Sequence, residues 1–344
     1  MLAVSIPASL LENLLKMTIA PALSSILSAQ YLADLVAEKY ALEGKVVCTM
    51  LKTGVNHSYA VHTEKEKFVF RVYCRNWRSE QEVGEEIKHL NALAKGGIRV
   101  STPVKDKNEN YIQRIQAIEG QRMAVLFSFA RGNSIKNPSV EICQNLGAEI
   151  GKMHQFVEHK SLNRKTYSAH TLVTWAYEMT KGYFGDSSQE MLYFERANTK
   201  ISEAFASADS HQLRSGIVHL DLWHENMKVD ENGEITLFDF DNCGNGYLFL
   251  DLSYALMLLF KNEPDFEQFE KKKEALLAAY GQSSTLSDAE IRLIPYGGLA
   301  IWLHYTGIHV QRFDDFSNQF FSAEFLKFWI QIVDRWMKYN GVDI

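Results

Sequence analysis

The chain has 344 residues, 46% of them hydrophobic, with a formal net charge of -6. That length exceeds one average domain and suits two lobes around a sizeable core. The negative balance excludes a general nucleic-acid binder. Cys48, Cys74, Cys143 and Cys243 are too scattered for a metal-type pair and read as reduced thiols of a cytoplasmic protein. The apolar first residues lack a basic leader and are interrupted by Glu12 and Lys16, which argues against a signal peptide or a membrane span. An amphipathic helical extension over residues 1–28, docked on the body, is expected instead.

In chain order, residues 29–40 carry apolar positions at helical spacing. Strand-like runs follow at 45–51, 58–62 and 67–73, with Gly54, Asn56 and the pair Lys65-Glu66 marking turns. Residues 79–94 read as a helix with Val83, Ile87, Leu90 and Leu93 on one face, ended by Gly96 and Gly97. Two further strands are expected at 111–118 and 123–129. A hinge-like Ala130-Arg131-Gly132-Asn133 then leads into helical patterns at 140–157, 172–183 and 190–206. Met227–Val229 and Ile235–Phe238 flank Asn232-Gly233, a hairpin signal. More helices follow, the last at 322–338. The expectation is an α+β, two-lobed protein-kinase-like fold: a small β-rich lobe over 29–130 and a mainly helical lobe over 131–344.

The chemistry is concentrated in HLDLWHEN, residues 219–226, and LFDFDNCG, residues 237–244. His219, Asp221 and Asn226 keep the register of H-R-D-x-x-x-x-N, and the hairpin returns Asp239 to the same end. Asp221 is placed to accept a proton from an attacking hydroxyl. Asn226 and Asp239 offer the oxygen ligands that magnesium on nucleotide phosphates requires. Neither GxxxxGK[ST] nor GxGxxG occurs. On the small-lobe side, Arg71 stands on the strand where kinases usually carry Lys, and Glu86 is its expected partner, with Glu82 and Glu85 as alternatives. The base edge of a nucleotide is expected beneath Leu126–Phe129, so Phe127 and Phe129 join the nucleotide site.

Together these strings resemble the aminoglycoside phosphotransferase and choline kinase superfamily, over roughly residues 30 to 335. The matching positions are His219, Asp221, Asn226, Asp239, Asp241, Gly246 and Asp251. Leu220 departs from the family's usual glycine, and Trp223 stands where the family often has His and protein kinases have Lys. The resemblance implies a kinase-like fold and transfer of a phosphoryl group from ATP or GTP, with magnesium, to a hydroxyl of a small molecule such as an aminoglycoside, choline or homoserine. It implies that Asn56 lies in a short phosphate-covering turn, that His219 braces the catalytic loop, and that Asp241, Asp251 and His154 are supports. For the acceptor, residues 302–312 offer Trp302, His304, Tyr305, His309 and Arg312; Trp302, Tyr305 and His309 recur at helical spacing and share a face that either holds a cation or packs as core, while Trp223 and Tyr247 lie nearer the motifs. Nucleic acid and membrane are not expected partners. The rival readings are a protein Ser/Thr kinase of the stress-response type and a nucleotide-binding module with little turnover.

Overall fold

The structure is a computed structural model that describes residues 20–185, 188–312 and 320–344. Most of the expected N-terminal helix, residues 1–19, lies outside the described residues. The described remainder, 20–28, is not helical but extended coil, pinned to the sheet by Glu119, which accepts hydrogen bonds from the Ser25 backbone N and hydroxyl.

The small lobe is an antiparallel sheet between two helices. Its strands are β1 (Val47–Thr53), β2 (His57–His62), β3 (Lys67–Val72), β4 (Pro103–Val104), β5 (Ile112–Ala117) and β6 (Gly120–Ser128). The order is β1-β2-β3-β6, with β4 and β5 sharing the far side of β6. Helix α1 (Ala29–Tyr40) buries Leu32, Ala33 and Val36 against one face, with Tyr59, Phe70 and Val72. Helix α2 (Glu80–Lys95) opens on a Ser79–Glu82 capping box and buries Val83, Ile87, Leu90 and Leu93 on the other face. Strand alternation therefore decides the site: Phe70 and Val72 point to α1, and Arg71 and Tyr73 point to α2.

The chain crosses to the large lobe at Gly132, whose φ of +101° suits glycine and where an added Cβ would collide with the Val229 carbonyl. Asn133 and Val229 exchange both backbone hydrogen bonds at 2.9 Å. Val229 belongs to β8 (Met227–Val229), which pairs with β9 (Ile235–Leu237) as the expected hairpin. Leu237 also bonds the small-lobe segment, donating to the Arg99 carbonyl and accepting from Ser101 N, each at 2.9 Å. A second short ladder joins β7 (Ser215–Val218) to β10 (Gly244–Tyr247).

The large lobe is built on α3 (Val140–Val157), α4 (Trp175–Phe184), α5 (Gln189–Ser207), α6 (Phe249–Asn262), α7 (Phe266–Tyr280), α8 (Asp288–Gln311) and α9 (Ala323–Tyr339). The helix expected from residue 172 begins instead as a π-helical turn, His170–Thr174, before α4. Among the described residues no helix is long and apolar enough to cross a membrane.

Candidate active site

The catalytic loop leaves β7 at His219. Leu220 adopts φ +68°, a left-handed conformation that costs an L-residue about 1–2 kcal/mol and explains why glycine is usual at this position. Two devices hold it. The Leu220 side chain is fully buried, and Asp251, in the first turn of α6, accepts from both His219 N (2.9 Å) and Leu220 N (2.7 Å). Asp251 in turn meets His154 Nε2 at 3.1 Å, and His154 Nδ1 meets the Tyr280 hydroxyl at 2.9 Å. With Nε2 facing a carboxylate, the proton belongs on Nε2, and Nδ1 accepts from Tyr280.

His219 links two loops. Its Nδ1 accepts from Asp221 N at 3.2 Å, so Nε2 donates to the Phe238 carbonyl at 3.1 Å. Burial lowers its pKa, so the ring is neutral. Phe238 N also donates to the Asn226 carbonyl at 3.0 Å. Asp221, Asn226 and Asp239 are thereby brought to one end of the hairpin. The Asn226 amide donates to Asp221 Oδ2 (2.7 Å) and to the Asp221 carbonyl (3.0 Å), leaving its own Oδ1 as the remaining oxygen. Asp239 sits at φ +66° with its side chain 39% exposed.

Arg71 is buried at 7% exposure and divides its guanidinium between two carboxylates. Nη1 meets Glu86 Oε1 and Nη2 meets Asp239 Oδ1, both at 3.0 Å. Glu86, 1% exposed, also accepts from the Tyr73 hydroxyl at 3.1 Å. Glu82 is engaged in the cap of α2 and Glu85 pairs with Lys88, so Glu86 is the partner. The Arg71 guanidinium lies 5.1 Å from the Phe127 ring centroid. Arg71, Glu86, Phe127, Phe129, Asn226 and Asp239 line one cleft of about 280 Å³, whose apolar walls include Leu51, Val69 and Phe238. Asn56 is not among its lining residues; its side-chain oxygen accepts from Cys74 N at 3.1 Å and so shapes the turn. Lys52, which the motifs did not single out, reaches from β1 to Glu225 at 3.1 Å across the cleft.

Asp221 retains some solvent contact as a residue. Burial of its carboxyl and the nearby charge of Asp239 nevertheless raise its pKa to about 7, against the hydrogen bonds from Tyr305 and Asn226. Of the acceptor residues expected on α8, Tyr305 is the one that reaches this carboxyl. Trp302 is 4% exposed and packs into the core against Phe194 and Trp329. His309 packs on Phe320 and Phe321. Tyr247 stacks on Phe249, and Trp223 contacts His224 and lies near Lys52. The aromatic spacing on α8 thus serves packing more than a shared face. Asp241 is enclosed. Burial opposes its charge, but Arg78, Arg71 and Arg164 hold its pKa down to about 2, and Trp77 Nε1 donates to it at 2.6 Å. Trp77, Arg78 and Arg164 carried no motif signal because they come from connecting segments.

The family model for the phosphotransferase enzyme family matches residues 51–286. The chain belongs to this family. It is a small-molecule phosphotransferase of the group. It is 26% identical to an uncharacterized protein of Deinococcus radiodurans, with 93% of each chain covered. It is 24% identical to a homoserine kinase of Janthinobacterium sp., over 72% of this chain and 76% of that one. Among solved structures, an amicoumacin kinase in complex with AMP-PNP, Ca2+ and Ami superposes with a TM-score of 0.71 at 21% identity, covering 90% and 93% of the two chains. The two proteins share the kinase-like fold.

Proposed function

We propose that this phosphotransferase moves the terminal phosphoryl group of ATP or GTP to a hydroxyl of a small molecule, with Asp221 as the base. The observation that carries the reading is the convergence of Asp221, Asn226 and Asp239 at the end of a cleft whose opposite wall supplies Arg71. The nucleotide base lies between the apolar walls, near Phe127 and Phe129. A phosphate oxygen would compete with Asp239 for Arg71 Nη2, with Glu86 orienting the guanidinium as in a lysine–glutamate pair. Asn226 Oδ1 and Asp239 form a hard-oxygen donor set that fits magnesium, an ion that completes its shell with water and phosphate oxygens. When bound there, magnesium neutralises charge on the transferred group.

Asp221, with a pKa near 7, is poised to take the proton of the attacking hydroxyl. The hydroxyl oxygen bonds to the terminal phosphorus, the bond to the bridging oxygen breaks, and the nucleoside diphosphate leaves. His219 stays neutral and fixes the loop. The acceptor is a small hydroxyl compound, as the name homoserine kinase indicates for that relative. The test is Asp221→Asn, with nucleotide affinity and phosphoryl transfer measured on one preparation. Transfer should fall by about two to four orders of magnitude while nucleotide binding persists. Undiminished transfer would remove Asp221 from its role.

A further inference from the structure

A second cavity, about 460 Å³, lies on the other side of the turn that carries Asp241 and Asn242. Arg75, Arg78, Lys165 and Arg312 line it, and no Asp or Glu does so among the described residues. Arg78 is already matched by Asp241 at 3.3 Å. Lys165 is different. Its ammonium is half-buried, 4.7 Å from the Trp175 ring centroid, and no carboxylate pairs with it among the described residues. Burial, and then the charge of Arg78, lower its pKa to about 8. Removing a cation from water without a counter-charge is costly, and a bound anion offsets that cost. Arg75 is exposed, lines the cavity and donates one guanidinium N–H to the Glu119 carbonyl.

His304 adds a second, independent feature. It is 2% exposed on the cavity wall, and its Nδ1 has no hydrogen-bond partner. Its other nitrogen bonds the Thr171 backbone, and burial holds the ring neutral. The ring packs on Tyr167 and Trp175 and gives the cavity a neutral wall beside Lys165. The cavity is also connected to the reaction. Asn242 lines it and donates to the Tyr305 hydroxyl at 3.1 Å, and Tyr305 bonds the Asp221 carboxyl.

We propose that this cavity is the acceptor site and that it selects a small hydroxyl compound bearing an anionic group, a carboxylate or a phosphate. The proposal rests on the phosphotransfer reading above. Lys165 and Arg75 bind the anion, and the hydroxyl to be phosphorylated extends past Asn242 toward Tyr305 and Asp221. A quaternary ammonium or a polycationic aminoglycoside would meet like charge at this place.

The experiment uses the full chain with magnesium and saturating AMP-PNP, so that the nucleotide cleft is filled. D-gluconate, glycerol 3-phosphate and choline are titrated separately by calorimetry into the parent, Lys165→Ala, Lys165→Arg and Arg75→Ala. At least one of the two anions should bind the parent more tightly than choline. Its affinity should drop about tenfold or more in Lys165→Ala and Arg75→Ala, and Lys165→Arg should recover part of it. The tighter of the two anions then identifies the group as carboxylate or phosphate. Tighter binding of choline, binding of neither anion, or anion binding unaffected by both alanine variants would overturn the proposal. Arg75→Ala guards against misfolding, because Arg75 is exposed. AMP-PNP affinity, measured alongside, should be unchanged in every variant. A preference for choline would leave the role of Asp221 standing, whereas full transfer by Asp221→Asn would remove that role whatever binds here.

Discussion

The two cavities flank one short turn and differ in charge: Lys52, Arg71 and Lys228 balance Glu86, Glu225 and Asp239 in the cleft, whereas the second cavity has cations and no carboxylate among the described residues. On the cleft side, Asp239 keeps a partly exposed carboxylate beside Asn226 and Glu86. On the other side, Asp241 is buried under Arg78 and Trp77, and the cavity beyond it is lined by cations. Two aspartates two positions apart therefore have different tasks. The left-handed Asp239 and the 3-10 turn after it, Phe240–Asn242, send the side chains to different neighbourhoods. Surroundings, not residue type, make one an available oxygen ligand and the other an anchor for the loop.

Substitution should separate those tasks. The largest effect is expected from Asp241→Ala, which leaves Arg78 buried without its main partner. Chemical denaturation should show a loss of about 3–5 kcal/mol of stability. A variant as stable as the parent would show that the two aspartates do not differ in the way described. Next comes Asp239→Ala, which should leave stability nearly intact but lower magnesium-dependent nucleotide affinity by about a hundredfold or more. Calorimetric titration with and without the metal reads this directly, and unchanged metal dependence would end the contrast. The smallest effect is expected at the cation of the cleft. Arg71→Ala should weaken nucleotide binding by about tenfold, and Arg71→Lys should retain part of it, because an ammonium keeps the charge and loses the fork. Parent-like binding by Arg71→Ala would mean that Arg71 serves Glu86 and Asp239 alone.

Features set by local pattern were legible in the sequence. Strand alternation aligned Arg71 with the usual lysine position, but helical spacing left Glu86 open against Glu82 and Glu85, and only the fold selects it. The hairpin after Asn226 followed from two short apolar runs and a turn dipeptide. The departure at Leu220 was visible as a substitution, but its left-handed backbone was not, since Asp251 stabilises it from 31 residues away. The α8 aromatics left two readings open, because helical spacing says which residues share a face, not whether that face meets ligand or core. Of the second cavity's lining, only His304 and Arg312 stood out in the sequence, within the acceptor segment 302–312. Its other cations come from the β3–α2 connection and from the segment before α4, joined only by the fold.

The β8–β9 hairpin has a mechanical consequence. The small-lobe segment is fastened to it at Leu237, and the crossover strand is fastened to it at Val229. A rigid body held at two points keeps one degree of freedom, rotation about the line that joins them. The hairpin is thus the pin of a door. Widening of the cleft that spares both fastenings swings the small lobe about that pin, and the ion pairs across the cleft, Lys52 with Glu225 and Arg71 with Asp239, are the contacts that part. A nucleotide that replaces either ion pair with its own phosphates would act as the latch.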